Sequence, residues 1–83
     1  MSDLDGDWKV RPLPFVRKRI VGAQGETRLG PLRAGFDVVG RELRYRGRLT
    51  GVVDHLEPDG DGFRLRGTYR GRGFGAFRLV RPE

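Results

Sequence analysis

An all-β fold, a single small antiparallel up-and-down barrel of about eight short strands with no substantial helix, is what this sequence predicts, and three observations carry the prediction. Glycine and proline fill 14 and 5 of the 83 positions, and the longest run free of both is Phe15 to Val21. Any ten-residue helix must therefore hold an interior Gly or Pro, at about 1 or about 3 kcal/mol relative to Ala. Hydrophobic residues alternate with period two: Phe63, Leu65, Gly67 and Tyr69 fall on one face while Arg64, Arg66, Thr68 and Arg70 fall on the other, the pattern of a half-buried antiparallel strand. Turn-forming clusters recur about every ten residues, as in all-β sandwiches and barrels.

Taken in order, the first strand spans 7 to 12 and stops at Pro12-Leu13-Pro14. The second, 15 to 22, covers the run free of Gly and Pro, and the third, 26 to 31, lies between turns at Gln24-Gly25 and Arg33-Ala34-Gly35. The fourth, 35 to 39, sets Phe36 and Val38 against Asp37 and ends at Gly40. The fifth, 41 to 46, sets Leu43 and Tyr45 against Arg44 and Arg46 before Gly47. The sixth, 49 to 57, runs to Pro58-Asp59-Gly60-Asp61-Gly62, the seventh is 62 to 70, and the eighth, 74 to 81, follows Gly71-Arg72-Gly73 with Phe77 and Leu79 opposing Arg78 and Val80. Short connections favour a nearest-neighbour meander, and closure into a barrel removes exposed edges. The whole chain, 1 to 83, reads as one domain with residues 1 to 5 expected to fray.

A chain of this length hides only about 60% of its unfolded surface, so packing and backbone pairing carry its stability. There is no cysteine, hence neither a disulfide framework nor a thiolate metal site. No apolar run approaches the ~20 residues of a membrane span, and Met1-Ser2-Asp3-Leu4-Asp5 is acidic where a signal peptide is basic. The expectation is a soluble cytoplasmic protein with no membrane partner; nothing sets an oligomeric state. Seventeen basic residues, 15 of them Arg, face 11 acidic ones for a net charge of +6. Arginine suits bidentate recognition of phosphate or carboxylate, and a basic surplus concentrates anions. A GC-rich coding bias accounts for the Arg to Lys ratio, though less well for the surplus.

Tyr45-Arg46-Gly47-Arg48-Leu49-Thr50-Gly51 and Tyr69-Arg70-Gly71-Arg72-Gly73-Phe74-Gly75 share Y-R-G-R-x-x-G, one hairpin apart. In a meander, turns two strands apart share an end, so Arg46, Arg48, Arg70 and Arg72 are expected to converge, with Arg11 and Arg33 beside them. Asp3, Asp5, Asp7, Glu26, Glu42, Glu57, Asp59, Asp61 and Glu83 are expected at the other end, making a dipolar barrel with an arginine mouth. In the second strand, one register turns Lys18 inward and the other turns Arg17 and Arg19 inward; in the sixth, either Asp54 or His55 points inside. A buried cation needs a carboxylate, water or an anionic ligand. An internal pair of Lys18 with Asp54 is the economical solution, and an anion site at Lys18 the alternative.

Gly6-Asp7-Trp8 at the start of the first strand resembles the G-x-W of the calycin group, the lipocalins and their relatives. In that group the tryptophan closes one end of an up-and-down barrel, and a basic residue of the last strand packs across it. By this resemblance Gly6 and Trp8 are the structural signature, and Arg78 or Arg81 the basic residue. The resemblance implies a binding role. The chain is much shorter than a typical lipocalin and lacks the disulfide and C-terminal helix common there, leaving room for a small ligand.

Other motifs point elsewhere less well. Arg72-Gly73-Phe74-Gly75-Ala76-Phe77 resembles the RNP1 strand of RNA-recognition motifs, but that fold needs two helices and a later strand; Tyr69 and Phe77 are expected in the core. Asp3-Leu4-Asp5-Gly6-Asp7 lacks the Gly and Glu at the sixth and twelfth positions of a calcium loop. With Ser2 near the start and His55 the only histidine, no pair of nucleophile and base can be assembled, and no catalytic residue, metal ligand or cofactor is expected. The leading reading is a non-enzymatic binding module. It would take a small anionic or amphipathic ligand at Arg46, Arg48, Arg70 and Arg72, with Lys18 deeper. The alternatives are a nucleic-acid or polyanion binder using Arg44, Arg46, Arg64, Arg66, Arg70 and Arg72 on the outer strands, an enzyme acting on a bound small molecule, and a minimal barrel without a ligand.

Overall fold

In the computed structural model, which describes residues 4–82, the alternating stretches pair with their neighbours in chain order and close on themselves. The strands are β1 (Gly6–Arg11), β2 (Val16–Val21), β3 (Gln24–Leu29), β4 (Leu32–Val39), β5 (Glu42–Tyr45), β6 (Val52–Asp59), β7 (Gly62–Tyr69) and β8 (Arg72–Val80), with a 3-10 turn at Gly47–Leu49. The expected all-β meander barrel is the observed fold. Met1 to Asp3 and Glu83 lie outside the described residues. Leu4 and Asp5, expected to fray, are instead tied down: Leu4 is buried and its carbonyl accepts a 2.8 Å bond from Trp8 Nε1, while Asp5 Oδ1 accepts the Gly22 N–H at 2.9 Å.

Two-residue turns join five hairpins, and their chemistry moves several boundaries. Gly22-Ala23, Gly30-Pro31, Gly40-Arg41 and Gly60-Asp61 each begin with a glycine at φ between +58 and +62, the conformation a type II′ hairpin requires of its first central residue. The expected turns at Gln24-Gly25 and Arg33-Ala34-Gly35 run inside β3 and β4 instead. Gly25 gives room to the Phe36 ring, which a Cβ there would meet at 2.5 Å, and Gly35 lies beneath the Arg46 guanidinium. Glycine marks a close approach at these two sites, not a bend. The last hairpin turns at Arg70-Gly71, one residue before the expected position, with Arg70 at φ 50.

The inward faces divide the barrel into two halves. Trp8, Ile20, Phe36, Leu43, Leu56, Phe63, Leu65 and Leu79 are buried and fill the end where the chain enters and leaves; Trp8 meets Phe63 edge to face at 5.5 Å. Toward the other end the inward residues are smaller or shorter: Val10, Val16, Thr27, Ala34 and Val52. They do not meet across the barrel. Between Gly67 and Thr68 the register slips, so that Gly67 pairs with Gly75 and Thr68 with Gly73. Phe74 is thereby the extra residue of a β-bulge. Strict alternation from Phe77 and Gly75 would turn Phe74 outward; the bulge lays its ring over Gly67, where a Cβ would come within 2.6 Å. Tyr69, expected in the core, is half exposed at the barrel end, against Gly51.

Candidate functional site

The register of β2 turns Lys18 inward and leaves Arg17 and Arg19 exposed, and that of β6 buries Asp54. Lys18 Nζ lies 3.0 Å from Asp54 Oδ2 and donates to Thr27 Oγ1 and Tyr45 Oη, each at 2.6 Å. Tyr45 Oη donates to Asp54 Oδ2 at 3.0 Å and lies 2.5 Å from Thr27 Oγ1. The three ammonium donors thus have three acceptors, and among the described residues no buried side-chain polar atom lacks a partner. Burial lowers the Lys18 pKa from its usual value while the Asp54 charge and hydrogen bond oppose that shift. Burial, with Asp54 beside it, raises the Tyr45 phenol above the usual tyrosine range. The ammonium of Lys18 and the carboxylate of Asp54 compensate each other's charge. The economical sequence reading, an internal Lys18 and Asp54 pair, is the observed one.

This polar layer is the floor of a cavity of about 800 Å³ that opens at the far end of the barrel. Its walls are Val10, Val16, Ala34, Val52, Leu65 and Phe77, and nearer the opening Leu13, Leu29, Leu32, Leu49 and Phe74. The space is larger than the short chain led us to expect. Its size follows from the small residues above the floor, and the bulge at Phe74 supplies an aromatic wall.

Arg33, Arg46 and Arg48 border the opening. Arg46 runs over Gly35 on the outer wall, its Nε 3.6 Å from Asp37 Oδ1, and Arg48 lies on the 3-10 turn. Arg70, in the β7–β8 turn, and Arg72, the first residue after it, stand at the same end, as the shared motif predicts, and the Arg70 N–H donates to the Gly51 carbonyl at 2.9 Å, joining the two motifs. Neither lines the cavity, however; Arg70 instead folds over the Tyr69 ring at 5.4 Å. The expected quartet is therefore a pair, Arg46 and Arg48, joined by Arg33. The opposite, acidic end is only partly as expected. Asp5, Asp7, Glu42, Asp59 and Asp61 gather there, but Arg64 and Arg78 both reach Asp59 Oδ2, at 3.7 and 3.6 Å, and Arg19 approaches Asp7 at 3.9 Å. Charge is sorted at the mouth and mixed at the sealed end.

At the sealed end Arg81 lies across Trp8, its guanidinium carbon 3.7 Å from the ring centroid, and donates from Nη1 to the Asp5 carbonyl at 2.7 Å. Gly6, at φ +111, leaves the space that Arg81 Nη1 occupies; a Cβ would meet it at 2.6 Å. Of the two candidates for this stack, Arg78 is excluded: it faces outward, paired in register with Arg64 and Arg11.

Among the six outer arginines of the polyanion reading, Arg44 engages Glu42 at 2.9 Å, Arg46 engages Asp37 and Arg64 engages Asp59, which divides the basic stripe. His55, on the outside, has Nε2 at 3.0 Å from Thr68 Oγ1 and Nδ1 at 3.7 Å from Glu42 Oε2. Sequence reasoning missed this contact because it weighed serine alone as a hydroxyl partner. Thr68 is buried and its hydroxyl donates to the Val53 carbonyl at 3.2 Å, so the arrangement presents no accessible nucleophile. Comparison with family models, with curated proteins and with solved structures finds no match for the chain.

Proposed function

We propose that this barrel is a non-enzymatic binding module for an amphipathic anion, with the apolar tail in the cavity and the anionic head at the mouth among Arg33, Arg46 and Arg48. The cavity carries the reading: about 800 Å³, within the roughly 300–1,000 Å³ of small-molecule sites, apolar along its walls and bordered by arginines at its opening. The floor sets the orientation. Because Lys18 and Asp54 compensate each other and the Lys18 donors are engaged, a carboxylate pushed to the floor would meet the Asp54 charge without a free cation, whereas at the mouth it meets guanidinium groups. The stack of Arg81 on Trp8 supports the resemblance to the calycin group, and we propose a minimal relative of that kind.

The test uses 1-anilinonaphthalene-8-sulfonate, an anionic fluorophore with an apolar ring system, and dodecanoate as competitor. Saturable fluorescence enhancement that dodecanoate reverses and dodecane does not is the expected result. The variant carrying Arg33→Gln, Arg46→Gln and Arg48→Gln should bind about tenfold more weakly or worse, the effect of losing one charge-assisted hydrogen bond. Lack of saturable binding, or binding indifferent to those substitutions, would overturn the reading.

A further inference from the structure

The rim around the cavity carries more than the pocket uses: Phe15, Arg11, Arg70 and Arg72 stand at the open end but outside the cavity lining. The segments forming the open end, residues 11–15, 30–33, 46–51 and 70–73, contain Arg11, Arg33, Arg46, Arg48, Arg70 and Arg72 and neither Asp nor Glu. The same end carries Leu13, Phe15, Leu29, Leu32, Leu49 and Phe74, all exposed, with Phe15 at 76%, Leu32 at 65% and Phe74 at 60%. Contiguous exposed apolar residues ringed by polar ones mark an interaction surface. Phe15 does not line the cavity, so a ligand held inside leaves its ring in water.

We propose that the open end of the barrel docks on the surface of an anionic lipid bilayer, with Phe15, Leu32 and Phe74 entering the boundary between head groups and acyl chains and the rim arginines meeting lipid phosphates. Charge complementarity selects this occupant. A second copy of the chain, mouth to mouth, would bring two rings of arginine together with no carboxylate in the rim segments, Arg46 alone among the six being engaged by Asp37 of the outer wall. A nucleic acid would satisfy the arginines and leave the four leucines in water. An anionic bilayer serves both halves of the rim: apolar area buried in the interface and basic residues near the surface add, each arginine strengthening partition by about fivefold. Docking here is contact with one leaflet; among the described residues no helix is long and apolar enough to cross a membrane. The proposal does not depend on a ligand in the cavity.

The test is co-sedimentation of the whole chain with vesicles of phosphatidylcholine alone or with about 30% phosphatidylglycerol, with fluorescence as a depth gauge. The chain has one tryptophan, Trp8, at the sealed end. The intact protein should bind only the anionic vesicles, release as salt rises, and show no quenching of Trp8 by bromine-labelled acyl chains. A Phe15→Trp variant should be quenched. Phe15→Ser, at an exposed site where folding is not at stake, should weaken binding by about tenfold or more, the effect of leaving one phenyl ring in water. No binding to anionic vesicles at about 50 mM salt would overturn the proposal. So would binding unchanged in Phe15→Ser, quenching of Trp8 in the intact protein, absence of quenching in Phe15→Trp, or a dimer in solution that Phe15→Ser dissolves. Fluorophore binding by the chain without vesicle binding refutes docking alone, and the reverse refutes only the cavity reading.

Discussion

Lys18 occupies a position where a lone cation is not tolerable, and its neighbours explain how it is. Removing one partner of a buried pair leaves the other charged and desolvated, which costs about 3–5 kcal/mol, whereas replacing both with apolar residues is often neutral. Lys18→Met is therefore expected to lower the urea unfolding free energy by about that amount, and Lys18→Met with Asp54→Leu to recover most of it. Tyr45 adds a pH dependence. Its folded pKa is raised by burial, so above about pH 10, where the unfolded tyrosine releases its proton and the folded one keeps it, stability falls as pH rises. Lys18 has the opposite sign: its pKa is lowered by burial, so between that lowered value and the unfolded value of about 10.4 the folded chain gives up its proton first and stability rises with pH, with no contribution to the slope below that window. Tyr45→Phe should flatten the alkaline decline in urea midpoints from about pH 10 upward. Part of this was legible in the sequence. The adjacent cations Arg17, Lys18 and Arg19 force one inside whatever the register, and Asp54 was its natural partner. The register itself was not legible, because both choices bury a cation. Neither was the contribution of Thr27, which the register of the β2–β3 hairpin sets opposite Lys18, nor that of Tyr45, which the curling of the sheet brings across from β5.

Single insertions and turns account for the remaining departures among the elements. An extra residue in β8 reverses the side on which Phe74 emerges, and period-two reading has no means of seeing a bulge before the partner strand is known. Glycines misled in the same way: Gly25 and Gly35 resemble turn residues in composition but are spacers beneath Phe36 and Arg46. The β7–β8 turn offers a measurable contrast. Arg70 is the only non-glycine residue at positive φ among the described residues, and it is followed by Gly71 with φ 86, a pair of positive values that suits Asn-Gly best. The left-handed conformation costs a non-glycine residue about 1–2 kcal/mol, less for asparagine. Arg70→Asn should thus raise the thermal midpoint by several degrees, about 4–8 °C for each kcal/mol in a chain of this size, and should weaken adsorption to anionic vesicles by removing one rim charge. A midpoint that stays or falls would mean that the contact of Arg70 with Tyr69 outweighs the backbone strain.

At the scale of the whole molecule, the barrel is packed at one end and hollow at the other. The all-β class and the meander were legible because they follow from local signals, alternation and turns, that do not require knowledge of distant partners. The cavity was not, since its volume depends on which small residues face each other across the closed sheet. An occupant that binds only the folded state stabilises it by mass action, about 2.7 kcal/mol at a hundred times its dissociation constant. Dodecanoate at such excess should raise the thermal midpoint by about 10 °C or more, and the shift should disappear when Ala34→Phe fills the space above the floor.

The stack at the sealed end has a practical corollary. β1 climbs from that end toward the mouth and β8 descends from the mouth beside it, and Arg81 then bonds to the Asp5 carbonyl. Both extremities of the described chain therefore emerge together, diametrically opposite the opening. A dye, an affinity handle or a neighbouring polypeptide attached at either extremity would hang behind the barrel like a keel, and a surface-tethered copy would present its opening outward.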